Sequence, residues 1–193
     1  MCYWTSRGLS EEHAYEAWRA QLSNLSVPWQ LNAKTENPFF VNYHAEQFGK
    51  LAITHCRFSA CRGYRGRADI HHSADVLYCV QFMMRGRENV AYDDNQDTLL
   101  AGDAYIWDSE KEFTFCTMGK VESFSLGIPK DLFLSMSEPG AKIIRKIDFK
   151  NGMGAVLFQA VLSAFNSGPA FSHVDRGVVE RAIVQLTASA FCT

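Results

Sequence analysis

The run DVLYCVQFMMRGRENVAYDDNQDTLLAGDAYIWDSEKEFTFCTMGKVESFSLGIP, residues 75–129, decides the fold. It reads as six short β segments in a row. They are punctuated by Arg85-Gly86-Arg87, Asp93-Asp94-Asn95-Gln96, Ala101-Gly102-Asp103, Ser109-Glu110-Lys111 and Met118-Gly119-Lys120. Strand-like runs separated by turn signals every 8–12 residues or so predict a sandwich or a barrel. Small antiparallel barrels commonly enclose one ligand cavity. The candidate walls here are rich in Phe, Tyr and Trp.

Working outward, strand-like sequence also covers Phe39–Tyr43, Lys50–Phe58 and Cys61–Ile70, for about nine short strands in all. Upstream, Ser10 suits a helix N-cap, and Tyr15, Trp18 and Leu22 follow at helical spacing. Trp18 is then a docking residue that closes an open barrel end. Pro28 and the polar run Asn32–Asn37 end that segment. Downstream of Pro129 the period changes from two to 3.6. A short helix begins at Pro129 and is broken by Glu138-Pro139-Gly140. A second spans Met153–Phe165, and Ser172 caps a last one with Asp175 three residues on. The expected fold is mainly β with α: a jelly-roll barrel, an N-terminal helix and a C-terminal helical pair.

The bulk properties exclude several classes. A net charge of −2 over 193 residues gives no field for holding nucleic acid or an anionic membrane. No stretch approaches the roughly 20 apolar residues of a membrane span, and the N-terminus has no apolar core of a secretory signal. The six cysteines include no C-x-x-C pair, which suits a reduced, cytoplasmic protein. His71 and His72 are adjacent, so on a strand they would point to opposite faces and could not share a metal. No nucleophile elbow or H-E-x-x-H motif is present. The expectation is no catalytic residue, no metal and no cofactor.

The order of elements resembles the N-terminal sensor and dimerisation domain of AraC-type transcriptional regulators. Four details carry the resemblance: Arg65 followed by Ile70 and Asp75-Val76-Leu77-Tyr78; a strand ending in Arg85-Gly86; Ala101-Gly102-Asp103 leading through Tyr105-Ile106-Trp107 to Asp108-Ser109; and Ser123–Pro129 running into a helix. The resemblance implies a cupin-like effector-binding barrel with the N-terminal helix over residues 1–128 and a helical dimerisation segment over 129–193. It also implies DNA binding only through a helix-turn-helix unit, which these residues do not contain. The sequence is then either a truncated chain or a stand-alone sensor. The alternatives are a metal-dependent cupin enzyme, an oxygenase or isomerase, and a carbohydrate-binding jelly roll.

In the family's sugar sensors an arginine at the Arg85 position and aromatics near Phe115 and Phe124 line the effector cavity. With Phe113, Trp107 and Tyr78 as further aromatics on successive strands and Met83 on the face of Arg85, the expected site is Arg85, Phe113, Phe115, Phe124, Trp107, Tyr78 and Met83. Period two places Cys79, Gln81 and Met83 on the face of Arg85, and Phe113 with Phe115 on one face. Phe113 and Phe115 stand where the sugar sensors carry polar residues and Tyr, which favours an aromatic or aliphatic acid as effector, with Arg85 forking onto its carboxylate. Arg62, Arg65 and Arg67 read as an edge strand guarded by charge, or as a source of one further pocket cation. Val174, Val178, Ile183 and Leu186 form an apolar stripe expected to pair two subunits.

Overall fold

The computed structural model describes residues 2–32 and 39–193. The polar run predicted to end the N-terminal segment therefore lies mostly outside the described residues. In chain order the elements are β1 (Cys2–Thr5), α1 (Glu11–Ser23), β2 (Gln30–Leu31), β3 (Val41–Phe48), β4 (Leu51–Phe58), β5 (Arg62–Arg65) and α2 (Arg67–His71). They continue with β6 (Leu77–Tyr92), β7 (Asn95–Leu100), β8 (Asp103–Asp108), β9 (Phe113–Pro129), α3 (Lys130–Met136), β10 (Lys146–Asp148), α4 (Gly152–Ser167) and α5 (His173–Phe191). The caps form as the sequence predicts. Ser10 accepts the His13 amide, and Ser172 and Asp175 form a reciprocal capping box.

Strands β6 and β9 are 16 and 17 residues long and pair antiparallel along their whole length. The other strands attach to their two halves. The first half of β6 pairs with β8, and the second half of β9 with β4, giving the order β1-β3-β4-β9-β6-β8-β10. The second half of β6 pairs with β7, and the first half of β9 with β5, which carries β2 on its far side. The result is a jelly roll of two half-sheets that share a bent two-stranded spine.

The bend explains where sequence and structure differ. Arg85-Gly86-Arg87 does not reverse the chain. It is a bulge, with register shifts between Met83 and Arg85 and again between Arg85 and Arg87. Gly86 sits at φ +94°, and a Cβ there would lie 2.7 Å from the Lys120 carbonyl oxygen, so only glycine fits. Met118-Gly119-Lys120 lies opposite, inside β9, and is likewise no turn. Asp93-Asp94 is a true two-residue hairpin turn, both residues with positive φ. Two of the predicted turns are therefore bends within long strands, and six predicted segments become four.

Two apolar cores follow. On the outer face of the first half-sheet, Phe82, Phe124, Leu126 and Ile128 pack against Phe133 of α3, Phe158 and Phe165 of α4, and Ile183 and Val184 of α5. Inside the barrel, Cys56, Met83, Val90, Tyr92, Trp107 and Phe113 meet Trp18 and Val27 of the N-terminal segment. The outer core corrects the predicted dimer stripe. Ile183 is 1 % exposed and Leu186 packs against the same cluster, so both serve their own subunit. Val174 and Val178, at 74 % and 53 % exposed, remain in solvent.

The predicted strand Cys61–Ile70 is instead β5 followed by α2. β5 is paired on both sides, so it is not an edge. Arg65 does not guard an edge or enter the barrel. Its guanidinium is buried and donates to the carbonyl oxygens of Ser109 (3.0 Å) and Pro28 (2.9 Å) and to the Ser73 hydroxyl. The arginine ties the chain on both sides of the barrel end together.

Candidate functional site

The barrel interior contains a cavity of about 280 Å³. Three sets of residues line it. The N-terminal segment contributes Trp18, Leu22, Leu25, Val27 and Trp29. The second half-sheet contributes Phe113, Phe115 and Glu88, and β8 contributes Trp107. Opposite them, Ala52, Thr54, Ser123, Ser125 and Gly127 of β4 and β9 are small. Large rings on one side and small side chains on the other leave space that ordinary interior packing would close.

Trp29 is the keystone of the aromatic wall. Its ring meets Trp107 at 5.3 Å, Phe113 at 5.6 Å and Phe115 at 5.4 Å, each near-perpendicular. Edge-to-face contacts of this kind are favourable beyond their buried area. Two fastenings hold Trp29 there: the Arg65 bond to the carbonyl of Pro28, and the pairing of Gln30 and Leu31 with β5. Phe115 can lie flat because Gly63 stands opposite it; a Cβ at that position would come within 2.4 Å of the Phe115 ring. Trp18 stacks on Trp4 at 5.7 Å and leans on Tyr43. The N-terminal helix thus forms part of the cavity wall.

Of the residues proposed from sequence, Trp107, Phe113 and Phe115 line the cavity. The rest stand elsewhere. Met83 is fully buried in the interior core but does not line the space. Tyr78 and Phe124 are on the outer face, Tyr78 against Phe133 and Phe124 against Phe158 and Phe165. Arg85 is outside the barrel, its side chain 79 % exposed and 3.7 Å from Glu122. The bulge is the reason. Leu77, Cys79 and Gln81 point inward on odd numbers. Past the two register shifts the inward set is even: Glu88, Val90 and Tyr92.

The carboxyl or basic side chain that lines the cavity, among the described residues, is therefore an acid. Glu88 is 3 % exposed, and its carboxylate accepts a hydrogen bond from the Gln81 side-chain amide at 3.1 Å. Burial pushes its pKa from about 4.5 up to about 7, with the Gln81 bond pulling the other way. Among the described residues no Arg, Lys or His lines the cavity. The lining thiols are inert by the same physics: burial pushes Cys61 and Cys79 up to about 12 and raises Cys56 as well. The sequence did carry a signal for Glu88. It stands two residues from Val90 and four from Tyr92, a charge in register with an apolar face. Reading Arg-Gly-Arg as a turn hid it.

Among the described residues no group of three or more His, Cys, Asp or Glu side chains is placed to hold a metal ion. His71 and His72 sit at the end of α2, not on a strand.

A jelly-roll barrel with an interior cavity, an N-terminal cap and helices on its outer face is an architecture that can enclose a small ligand. The comparisons identify the family. Residues 18–192 match the family described as AraC-binding-like domain, and the chain belongs to that family. The structure is similar to the AraC-like transcriptional activator CuxR, with a TM-score of 0.79 at 13 % identity, over 98 % of this chain and 69 % of that one. A cupin superfamily protein from Desulfitobacterium hafniense matches 51 % of this chain and 84 % of its own, at 13 % identity and a TM-score of 0.38. No curated protein matches the sequence.

Proposed function

We propose that this chain is the effector-sensing and dimerisation part of an AraC-type transcriptional regulator, and that it does no covalent chemistry. The observation that carries the reading is the cavity of about 280 Å³ walled on one side by the N-terminal segment. A mostly apolar space with a few placed polar groups is the usual form of a small-molecule site. Trp18 and Trp29 belong to a segment that both walls the cavity and is tied to β5 and Arg65, so a ligand against them would bias the position of the cap. Bias in that position is what a tethered DNA-binding unit would read. We place the barrel and cap in residues 1–128 and the helical segment in 129–193, in a cytoplasmic protein. Among the described residues no helix is long and apolar enough to cross a membrane.

The effector test is a thermal-shift panel of small apolar acids, alcohols and amines on the wild type and on Ser123→Phe, which puts a ring into the cavity. A compound that stabilises the wild type should lose its effect on the variant. Equal stabilisation of both would move the effector site out of the barrel. For pairing, the supporting feature is the apolar surface that α5 and α4 leave in solvent at Val174, Val178, Met153 and Val156. Val178→Glu should convert a dimer to a monomer in analytical ultracentrifugation while changing subunit stability by less than about 0.5 kcal/mol. A sedimentation profile identical to the wild type would remove α5 from the interface.

A further inference from the structure

Glu88 is a costly residue to place where it is. A carboxyl taken out of water needs partners, and among the described residues this one has a single amide, that of Gln81, at 3.1 Å. No cation of the chain compensates it, because none lines the cavity among the described residues. A barrel that merely needed filling would carry an apolar side chain at this position, as it does at Val90 and Tyr92 on the same face of β6. The wall beside Glu88 is also specific in kind. Thr117 stands directly across from Glu88 on β9, and Phe115 is the next residue on that face, so the Phe115 ring is the diagonal neighbour of the carboxyl. Trp29 and Trp107 continue the wall. An acid that lines the same cavity as several aromatic rings is a complement to one kind of ligand group, since both the charge and the ring quadrupoles attract a cation.

We propose that the barrel cavity takes a small primary ammonium compound with an apolar body, its ammonium set between the Glu88 carboxylate, the Gln81 amide oxygen and the rings of Trp29 and Phe115. The inference rests on the cavity being the effector site and names the class of effector. It replaces the acid expected from sequence, since a carboxylate brought to Glu88 would meet a like charge with no counter-ion. The volume, about 280 Å³, lies at the lower edge of the small-molecule range of roughly 300–1,000 Å³. The body is then a single ring or a short aliphatic chain. An ammonium also supplies what Glu88 lacks inside the fold, a charged hydrogen-bond donor.

The test compares three probes of one shape: phenethylamine, phenethyl alcohol and phenylacetate. Binding to the wild type and to Glu88→Gln is followed by quenching of tryptophan fluorescence and by calorimetry. The amine should bind the wild type tightest and lose about tenfold or more in Glu88→Gln, while the alcohol changes by less than about threefold. A second measurement needs no variant. Glu88 is the group lining the cavity that titrates between about pH 5.5 and about pH 8, since the facing phenol of Tyr43 and thiols of Cys61 and Cys79 are held near 12 and Cys56 is raised too. Over that range the amine stays charged and its affinity should rise about tenfold, with the alcohol's flat or falling. Amine affinity flat across the range, an alcohol or acid bound more tightly than the amine, or equal losses for all probes in Glu88→Gln would overturn the ammonium class and leave the effector cavity standing. Binding of none of the three to the wild type would overturn both.

Discussion

Among the described residues two glutamates are buried, and they mark two different kinds of interior. Glu46 on β3 faces the outer core. Arg176 of α5 reaches it at 3.4 Å, donates also to the carbonyl oxygens of Gln47 and Gly168, and lies over the Phe48 ring. His44 stands 3.4 Å from its other oxygen, with no hydrogen bond between them, so the compensation of Glu46 is the charge of Arg176. Glu88 faces the barrel cavity and, among the described residues, has Gln81 as its hydrogen-bond partner. Around Glu46 the packing is continuous, ring against ring from Phe165 through Phe124 to Phe158. Around Glu88 there is space. A compensated acid in a solid layer fastens helix to barrel. An uncompensated acid beside a void is a group held for something that arrives. The contrast separates stability from function within one small domain.

The contrast breaks most readily by truncating one ring in each region. Phe158→Ala, in the outer layer, should cost about 3–5 kcal/mol in urea denaturation. Phe115→Ala, half-buried beside an existing cavity, should cost well under half as much. Equal costs would mean that the cavity is closed in solution.

The two acids give the next effect. Arg176→Ala leaves Glu46 buried without its charged partner and should destabilise by about 3 kcal/mol. Glu88→Gln should do the opposite near pH 8. The folded state holds the Glu88 proton up to about pH 7, whereas the unfolded chain releases it near 4.5. Between those values the folded form binds more protons, so this acid's contribution to stability falls as pH rises through the window. Replacing it should therefore gain roughly 2–3 kcal/mol at about pH 8 and nearly nothing at about pH 4. Denaturation curves at the two pH values check the sign. A Glu88→Gln protein less stable than the wild type at pH 8 would show that the carboxylate has a partner in solution.

The smallest effect sharpens the picture of space. Ser125→Leu adds bulk where the cavity can take it and should change stability by less than about 1 kcal/mol. Ala104→Leu adds similar bulk in the closed outer core and should cost about 1–3 kcal/mol.

The sequence made the helices legible because their signals are local: Ser10 and Ser172 as caps, and Val161 with Phe165 and Ile183 with Leu186 at helical spacing. The hairpin at Asp93-Asp94 was legible for the same reason. The bulge at Arg85-Gly86-Arg87 was not, because a glycine with positive φ serves a turn and a bulge equally well, and only pairing with β9 decides between them. That one ambiguity propagated into the site. The aromatic wall of Trp107, Phe113 and Phe115 lies on strands whose alternation is unbroken, and its residues could be named. Arg85 could be placed inside only by carrying alternation through a point where it changes phase. β1, β2 and β10 exist through partners distant in sequence, and Trp29 enters the wall through a bond from Arg65 to Pro28. No local pattern announces contacts of that range.

The phase change in β6 has a consequence for how such a barrel diversifies. Half of the spine is read in one frame and half in the other, and the frame of the second half is set by the residues between Met83 and Glu88. Straightening the bulge with no change in the number of residues would carry alternation on from Met83, presenting Arg87 and Asn89 to the cavity and sending Glu88 and Val90 to solvent, an exchange of an acidic lining for a basic one. The chemistry of the interior is thus encoded partly in one backbone distortion, so that removing the bulge would change what the barrel accepts as thoroughly as several substitutions.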